Sequence, residues 1–424
     1  MNENGQQKNW EFPTLGEVCE VVRGGFPRPM GDPRYFTGSI PFLKIADITK
    51  MPGKFVFDSQ TKVNELGAEK SRLLPKGTLV LTNSATVCVP KFLGVDACIH
   101  DGFVAFQNFT RQVDLNYLYH FFDYTRPYVV QKHKQGVTQV NLNIEIVNGF
   151  EVPLPNIDEQ ERIVAKIEEL FSELDAGVES LKKAQAQLKT YRQAVLKSAF
   201  EGKLTNENVT EGELPNGWKS VKIDHFLNDA RKDMRTGPFG TMLKKSEHLK
   251  SGVAVLGIEN IGEGIFQMPN KIFITDKKAV ELRSFGVKAG DIIISRSGTV
   301  GEICSVPDSM TGSIISTNLI KVSIDQKIVL PKFFVYLFQG GMVRQQVFDL
   351  CKGSSRAFLN QTILKSLDFP YCSPAEQQRI VEEIESRLSV CDKLEETIAA
   401  SLKQSEALRQ SILKRAFEGR LVTH

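Results

Sequence analysis

Apolar residues recur at a heptad period over two long stretches of the chain. With residue 167 as position a, the a positions read Ile167, Leu174, Leu181, Leu188 and Val195, and the d positions Ile163, Leu170, Gly177, Ala184, Tyr191 and Ser198. A second stretch repeats the stripe with interruptions: Ile384, Cys391, Ile398, Ser405 and Ile412 at a, and Ile380, Arg387, Leu394, Ser401, Leu408 and Arg415 at d. No proline falls between 156 and 214, or after Pro374, as an uninterrupted helix requires. Each stretch opens on a capping signal with acids in the first turn (Asn156, Asp158 and Glu159; Ser373 and Glu376) and closes at Gly202 or Gly419. Roughly 40 helical residues make a rod of about 60 Å, and one rod cannot hide its stripe alone. The period predicts that the two pack as an antiparallel coiled coil, one leading away from a globular domain and the other leading back. The alternative is that each lies on its own domain.

Between the helical stretches the pattern changes. Short β-rich runs ("GTLVLT", "DIIIS", "LIKVSI") alternate with helical ones ("LNYLYHFFDYTRPYVVQ", "PKFFVYLFQGGMVRQQVF"). The predicted fold class is α+β: two mixed globular domains, 1–155 and 205–372, and two long helices within 156–204 and 373–424.

The two halves are copies of one another. At an offset of 217, residues 159–204 match 376–421 at 20 of 46 positions, ending in "SAFEGKL" and "RAFEGRL". Upstream, "GVTQVNLN" (136–143) falls on "GSSRAFLN" (353–360), and near offset 213 "PKGTLVLTNSATV" (75–87) lies over "KAGDIIISRSGTV" (288–300). Trp10 meets Trp218 near offset 208. Long-period self-similarity outranks local readings: the chain is a tandem duplication of about 210 residues.

Charge matters only when divided. The whole chain carries +3, but the variable regions 1–150 and 205–370 carry +2 and +4, and the matched segments −2 and −1. A polyanion would meet the variable regions first. Nothing approaches 18 continuous apolar residues and the start is polar, so neither membrane spanning nor export is expected. Seven scattered cysteines without a C-x-x-C pair fit a reducing cytoplasm.

Small polar and basic residues cluster in loops that recur in both halves with different side chains. One pair is Asn83, Ser84 and Thr86 against Arg296, Ser297 and Thr299; the other is Lys134, Gln135, Thr138, Gln139 and Asn141 against Lys352, Ser354, Ser355 and Arg356. Lys44 and Lys91 complete the candidate set. Arg, Lys, Asn and Gln can pair with base edges, and Ser, Thr and glycine-loop N–H groups with phosphates. Solvated turns are the plain alternative for any one loop; recurrence with altered side chains suggests two readers of different texts.

These residues match a known pattern. Two variable domains alternate with two helices entered through "LP-x-x-x-EQ-x-R-IV" or its like and left through "AFEG-(K/R)-L". A "(G/T)D-I-I-x-S-(R/N)-S-G-T" strand and loop lies in each variable domain, and "LP-x-GW" (214–218) opens the second. The chain resembles the specificity subunit of type I restriction–modification systems over essentially its whole length. It departs from the pattern at Thr78 and Ala85, where the second copy has Asp291 and Gly298. The resemblance implies that each variable domain reads one half of a bipartite, asymmetric site in double-stranded DNA. It implies that the helices act as spacer and dock two modification (methyltransferase) subunits, which restriction (translocase–endonuclease) subunits join. S-adenosylmethionine, ATP and Mg²⁺ would then sit on those partners and no cofactor on this chain.

The rival readings are a self-contained nuclease or adenine methyltransferase, or a coiled-coil adaptor binding only proteins. "DPRY" (32–35) is one letter from the adenine-methyltransferase D-P-P-Y, and Pro307-Asp308 with Asp325-Gln326-Lys327 has PD…(D/E)-x-K spacing. The first lacks a glycine-rich cofactor loop, and the second lies in an expected turn. No phosphate-binding G-x-x-x-x-G-K-(S/T) loop occurs, and the six histidines show no ligand spacing. The expectation is a non-enzymatic DNA-recognition scaffold.

Overall fold

The computed structural model describes residues 10–29, 31–133, 141–206, 209–210, 212–351 and 358–422. Its longest elements are two helices of 44 residues each, Ile157–Phe200 and Pro374–Phe417. Both begin with acids and end with bases, as the helix dipole favours. Gly202 and Gly419 follow them at φ +75° and +64°, a left-handed stop without a Cβ penalty.

The chain forms two compact units, one of residues 1–181 with 400–424, the other of 182–399. Each unit therefore holds one globular domain, the start of one long helix and the end of the other.

In unit one a five-stranded sheet runs in spatial order Glu20–Arg23, Phe103–Gln107, Leu79–Thr82, Pro90–Leu93, Phe55–Val56. A second sheet places Ile40–Leu43 between Lys62–Val63 and Ala97–Ile99, parallel to the latter, with Leu73–Leu74 beyond. Unit two repeats this with Met234–Thr236, Leu319–Val322, Ile292–Ser295 and Ile303–Ser305 in one sheet. Its second sheet sets Val253–Leu256 between Ile272–Ile274 and Ile314–Ile315, again parallel to the latter. Each central strand is buried on both faces, so it reads as an unbroken apolar run. Alternate residues feed separate cores: Leu79 and Leu81 join Tyr117 and Phe122, and Val80 joins Leu43 and Ile99. Ile292, Ile294 and Ile293 divide the same way.

The repeated motif residues fasten helix to domain. Gln160, fully buried, donates to Pro155 O (2.9 Å) and Gln112 O (3.3 Å) and accepts from Asp114 N–H (2.9 Å). Gln377 donates to Cys372 O and Ile328 O and accepts from Leu330 N–H, each at 2.9 Å. At the other end of each motif, Phe417 packs on Tyr117, Phe121 and Tyr124 of unit one. Phe200 meets Phe333 edge-on in unit two. The "AFEG" repeat thus marks where a helix end plugs a domain core.

Within unit two the helical segments run antiparallel: Arg192 reaches Asp392 (2.5 Å) and Glu395 (3.1 Å), and Thr205, farther along, reaches Glu376, nearer the second helix's start. Unit one carries the duplicate, Arg409 paired with Asp175 and lying 4.1 Å over the Phe171 ring. One expectation needs correction. The a stripe is buried or half-buried, but Gly177, Tyr191, Arg387, Leu394 and Leu408 at the expected d positions are exposed. The seam's second row lies one residue later, at Phe171, Val178, Arg192 and Ala199, and at Leu388, Glu395 and Arg409. Arginine stems cover the seam while their guanidinium groups reach carboxylates.

Candidate nucleic-acid interface

Both central strands run out into the same seven-residue loop. Cys88 N–H donates to Thr82 O at 2.7 Å, and Gly301 N–H to Ser295 O at 2.9 Å. Asn83 N–H donates to Gly102 O and its carbonyl accepts from Leu142 N–H; Arg296 does the same with Asn318 O and Leu359 N–H. Each loop has two left-handed corners, Ala85 and Cys88 at φ +57° and +60°, and Gly298 and Gly301 at +78° and +84°. The sequence alignment of these loops is therefore also a structural one.

The candidate side chains meet different fates on that frame. Ala85, Asn141, Gly298 and Thr299 are exposed, and Lys44, Ser84, Thr86 and Ser297 half-buried. Ser84 is bridged through its backbone to Asn141, and Ser297 donates to Asn318 Oδ1 at 3.0 Å. Asn83 and Arg296 are buried, at 3% and 8% exposure. The Arg296 guanidinium packs 4.2 Å over the Phe358 ring and Nη1 donates to Thr317 O at 3.3 Å. Lys91 is also buried, and its ammonium donates to Met51 O (3.0 Å) and to Gly53 O. Those carbonyls take two of its three donors and hold a turn inside the domain. Lys134, Gln135, Thr138, Gln139, Lys352, Ser354, Ser355 and Arg356 lie outside the described residues.

The same rims gather residues that sequence reasoning missed. In unit one Arg23 Nε donates to Asp101 O (2.8 Å), and His100 Nδ1 accepts from Gly102 N–H (2.9 Å). Burial holds the His100 imidazole below its ordinary value, with the positive charges of Lys44 and Arg23 adding to it and Asp101 opposing. In unit two Gln361 donates to Thr236 Oγ1 (3.0 Å) beside Thr317 and Asn318. A signal existed in Gly24 and Gly237, each following an edge strand. A Cβ there would lie 2.1 Å from His100 O or 1.9 Å from Ser316 O, so glycine permits the close approach.

The catalytic lookalikes lie in local turns. Asp32 is held by Arg34, the residue that breaks the methyltransferase-like motif, through Nε and Nη2 (2.6 Å). Asp308 sits exposed in a 3₁₀ turn, and Asp325 accepts from Lys327 N–H at 2.9 Å. Among the described residues no group of three or more His, Cys, Asp or Glu side chains is placed to hold a metal. Nor is any described helix long and apolar enough to cross a membrane. All seven cysteines are buried and unpaired.

Residues 7–189 and 216–404 each match the family model described as type I restriction modification DNA specificity domain. The chain belongs to this family. It is 24% identical over 303 residues to the type I restriction enzyme EcoBI specificity subunit of Escherichia coli, covering 69% of this chain and 63% of that one. That match spans less than two thirds of the relative's length. The StySPI specificity subunit of Salmonella potsdam is 22% identical over 99% of this chain and 91% of its own. For the MjaVIII specificity subunit of Methanocaldococcus jannaschii the figures are 21%, 98% and 93%. In fold, the HsdS subunit of Thermoanaerobacter tengcongensis superposes with a TM-score of 0.57 at 18% identity, covering 98% of each chain. A chain from a structure of type I R-M complex assembly and conformational transition gives 0.73 at 19%, covering 98% and 99%.

Proposed function

We propose that this chain is the DNA-recognition subunit of a type I restriction–modification complex. Domain 1–155 would read one half of a bipartite double-stranded site and domain 205–372 the other, from the rims that carry Lys44, Ser84, Thr86 and Asn141, and Ser297 and Thr299. The helices within 156–204 and 373–424 would serve as spacer and docking surface for two modification subunits; the exposed apolar side chains Tyr191, Val390, Leu394 and Leu408 support docking. S-adenosylmethionine would belong to those subunits, and ATP and Mg²⁺ to restriction subunits that join them in the cytoplasm. The chain itself would perform no chemistry.

The observation that carries this reading is the pair of superimposable loops with unlike side chains, one backbone frame used for two texts. The test is to assemble the chain with its modification subunits, replace residues 1–155 by the equivalent domain of another family member, and map methylated sites. One half-site should change and the other persist. Methylation at unaltered sites would defeat the reading. So would methylation or cleavage by the purified chain alone, given S-adenosylmethionine or Mg²⁺, in favour of a self-contained enzyme.

A further inference from the structure

We propose that Asn83 and Arg296 are matched specificity-determining residues, the first selecting an adenine edge and the second a guanine edge. This rests on the DNA-recognition reading above. Both are the first residue after a central strand, with the same two backbone hydrogen bonds holding them. Both are more than nine-tenths buried, and among the described residues each has a buried side-chain atom without a hydrogen-bond partner, Asn83 Oδ1 and Arg296 Nε. Arg296 also makes no ion pair among the described residues, only the ring contact and one carbonyl bond. Buried polar groups are almost always paired. An unmet group at the same place in both domains, of opposite hydrogen-bonding sense, points to a partner that arrives from outside.

The unmet atoms also say what that partner offers. Asn83 Oδ1 accepts, so its partner must donate; a phosphate offers only acceptors and would leave that atom unmet. The major-groove edge of adenine pairs a donor, N6–H, with an acceptor, N7, which a carboxamide matches in two bonds. Arg296 Nε donates and needs acceptors, which a phosphate also offers; among base edges guanine presents two, O6 and N7, to the fork of a guanidinium, and a base contact alone makes the loss specific to one position. Each side chain must turn outward to reach a base, and its missing bond lowers the cost of that turn. The neighbouring corner residues, Ala85 and Gly298, are exposed.

The experiment uses the complete methyltransferase complex with Asn83→Arg or Arg296→Asn, its methylated sites mapped genome-wide. Asn83→Arg should change one adenine to guanine in the half-site of the first domain, and Arg296→Asn should do the reverse in the other. Arg296→Lys and Asn83→Ser, which add neither bulk nor an unpaired buried charge, protect against misfolding. Each should lower discrimination at that one base pair by roughly 5- to 150-fold. If these variants assemble and keep both half-sites and their discrimination, the assignment falls, although a bipartite site for the unaltered complex leaves the recognition reading standing. Loss spread evenly over all positions also overturns it, because a structural role predicts that. No bipartite methylation by the unaltered complex would fail the recognition reading instead.

Discussion

The two globular domains share strand order, loop corners and helix fastenings, yet differ where each meets its long helices. In domain one His120 is buried, with Lys54 Nζ 3.5 Å from its Nε2 and paired with Glu168 of the first helix. Domain two has Leu337 at that position of the repeat, and its ion pair, Lys332–Glu385 at 2.6 Å, lies in solvent. Duplication kept the glutamine and the phenylalanine that lock a domain to its helices, and the arginine–aspartate bridge from one helix to the other. The rim side chains and the surroundings of the lock diverged. A common frame tolerates different contents when backbone bonds and a few buried anchors carry the geometry.

The largest effect that could break this comparison is loss of a helix-end plug. Phe417→Ala and Phe200→Ala should each cost about 3–5 kcal/mol. Phe417 should lie at the upper end, because it meets three rings where Phe200 meets one. Hydrogen exchange of each unit in the full chain measures this, and loss confined to the unit that does not hold the altered ring would contradict the assignment. Next comes acid. Burial, with Lys54 and Arg409 adding and Glu168 opposing, brings His120 from 6.5 down to about 4. An unfolded imidazole takes its proton near 6.5 and the folded one only near 4. The stability this residue allows is therefore complete above 6.5 and lost as pH falls to about 4. Relative to His120→Leu, the residue of domain two, unit one should lose about 3 kcal/mol across that window. Parallel denaturation profiles of the two proteins would refute the asymmetry.

The glutamines sharpen the common part. Gln160→Leu and Gln377→Leu each leave two carbonyls and an N–H unmet, and should cost about 2 kcal/mol or more by chemical denaturation, nearly alike. Clearly unequal losses would mean that the fastenings are not equivalent. The smallest effect separates the loop corners. Gly298→Ala should cost about 1 kcal/mol, since its left-handed φ strains a side chain while the added Cβ meets only Ile258 at an ordinary 3.5 Å. Ala85→Gly should change stability by less than about 0.5 kcal/mol, as released strain and added chain freedom offset. Thermal melting of the two variants distinguishes the corners, and equal shifts would show that Ala85 is not strained.

The duplication and both long helices were legible because an offset and a 3.5-residue period can be read directly from letters. The seam was misread by one residue in its second row. Hydrophobicity favours Tyr191 and Leu408 over Arg192 and Arg409, and does not register that an arginine stem can line a helix pair. The loops were legible through the repeat, but not which side chains turn inward. Lys91 sits in a strand buried on both faces, where polar character no longer predicts exposure. Arg23, His100 and Asn318 come to the rim from strands remote in sequence, and only tertiary pairing gathers them.

The placement of Phe417 has a consequence for synthesis. Unit two is one continuous stretch, 182–399, whereas unit one joins 1–181 to 400–424. A nascent chain can therefore complete its second domain while the first still lacks Ile412, Leu413, Ala416 and Phe417 from its core. The domain translated first is the last to be finished, and a chain halted near residue 400 would carry one sound domain and one with an open core.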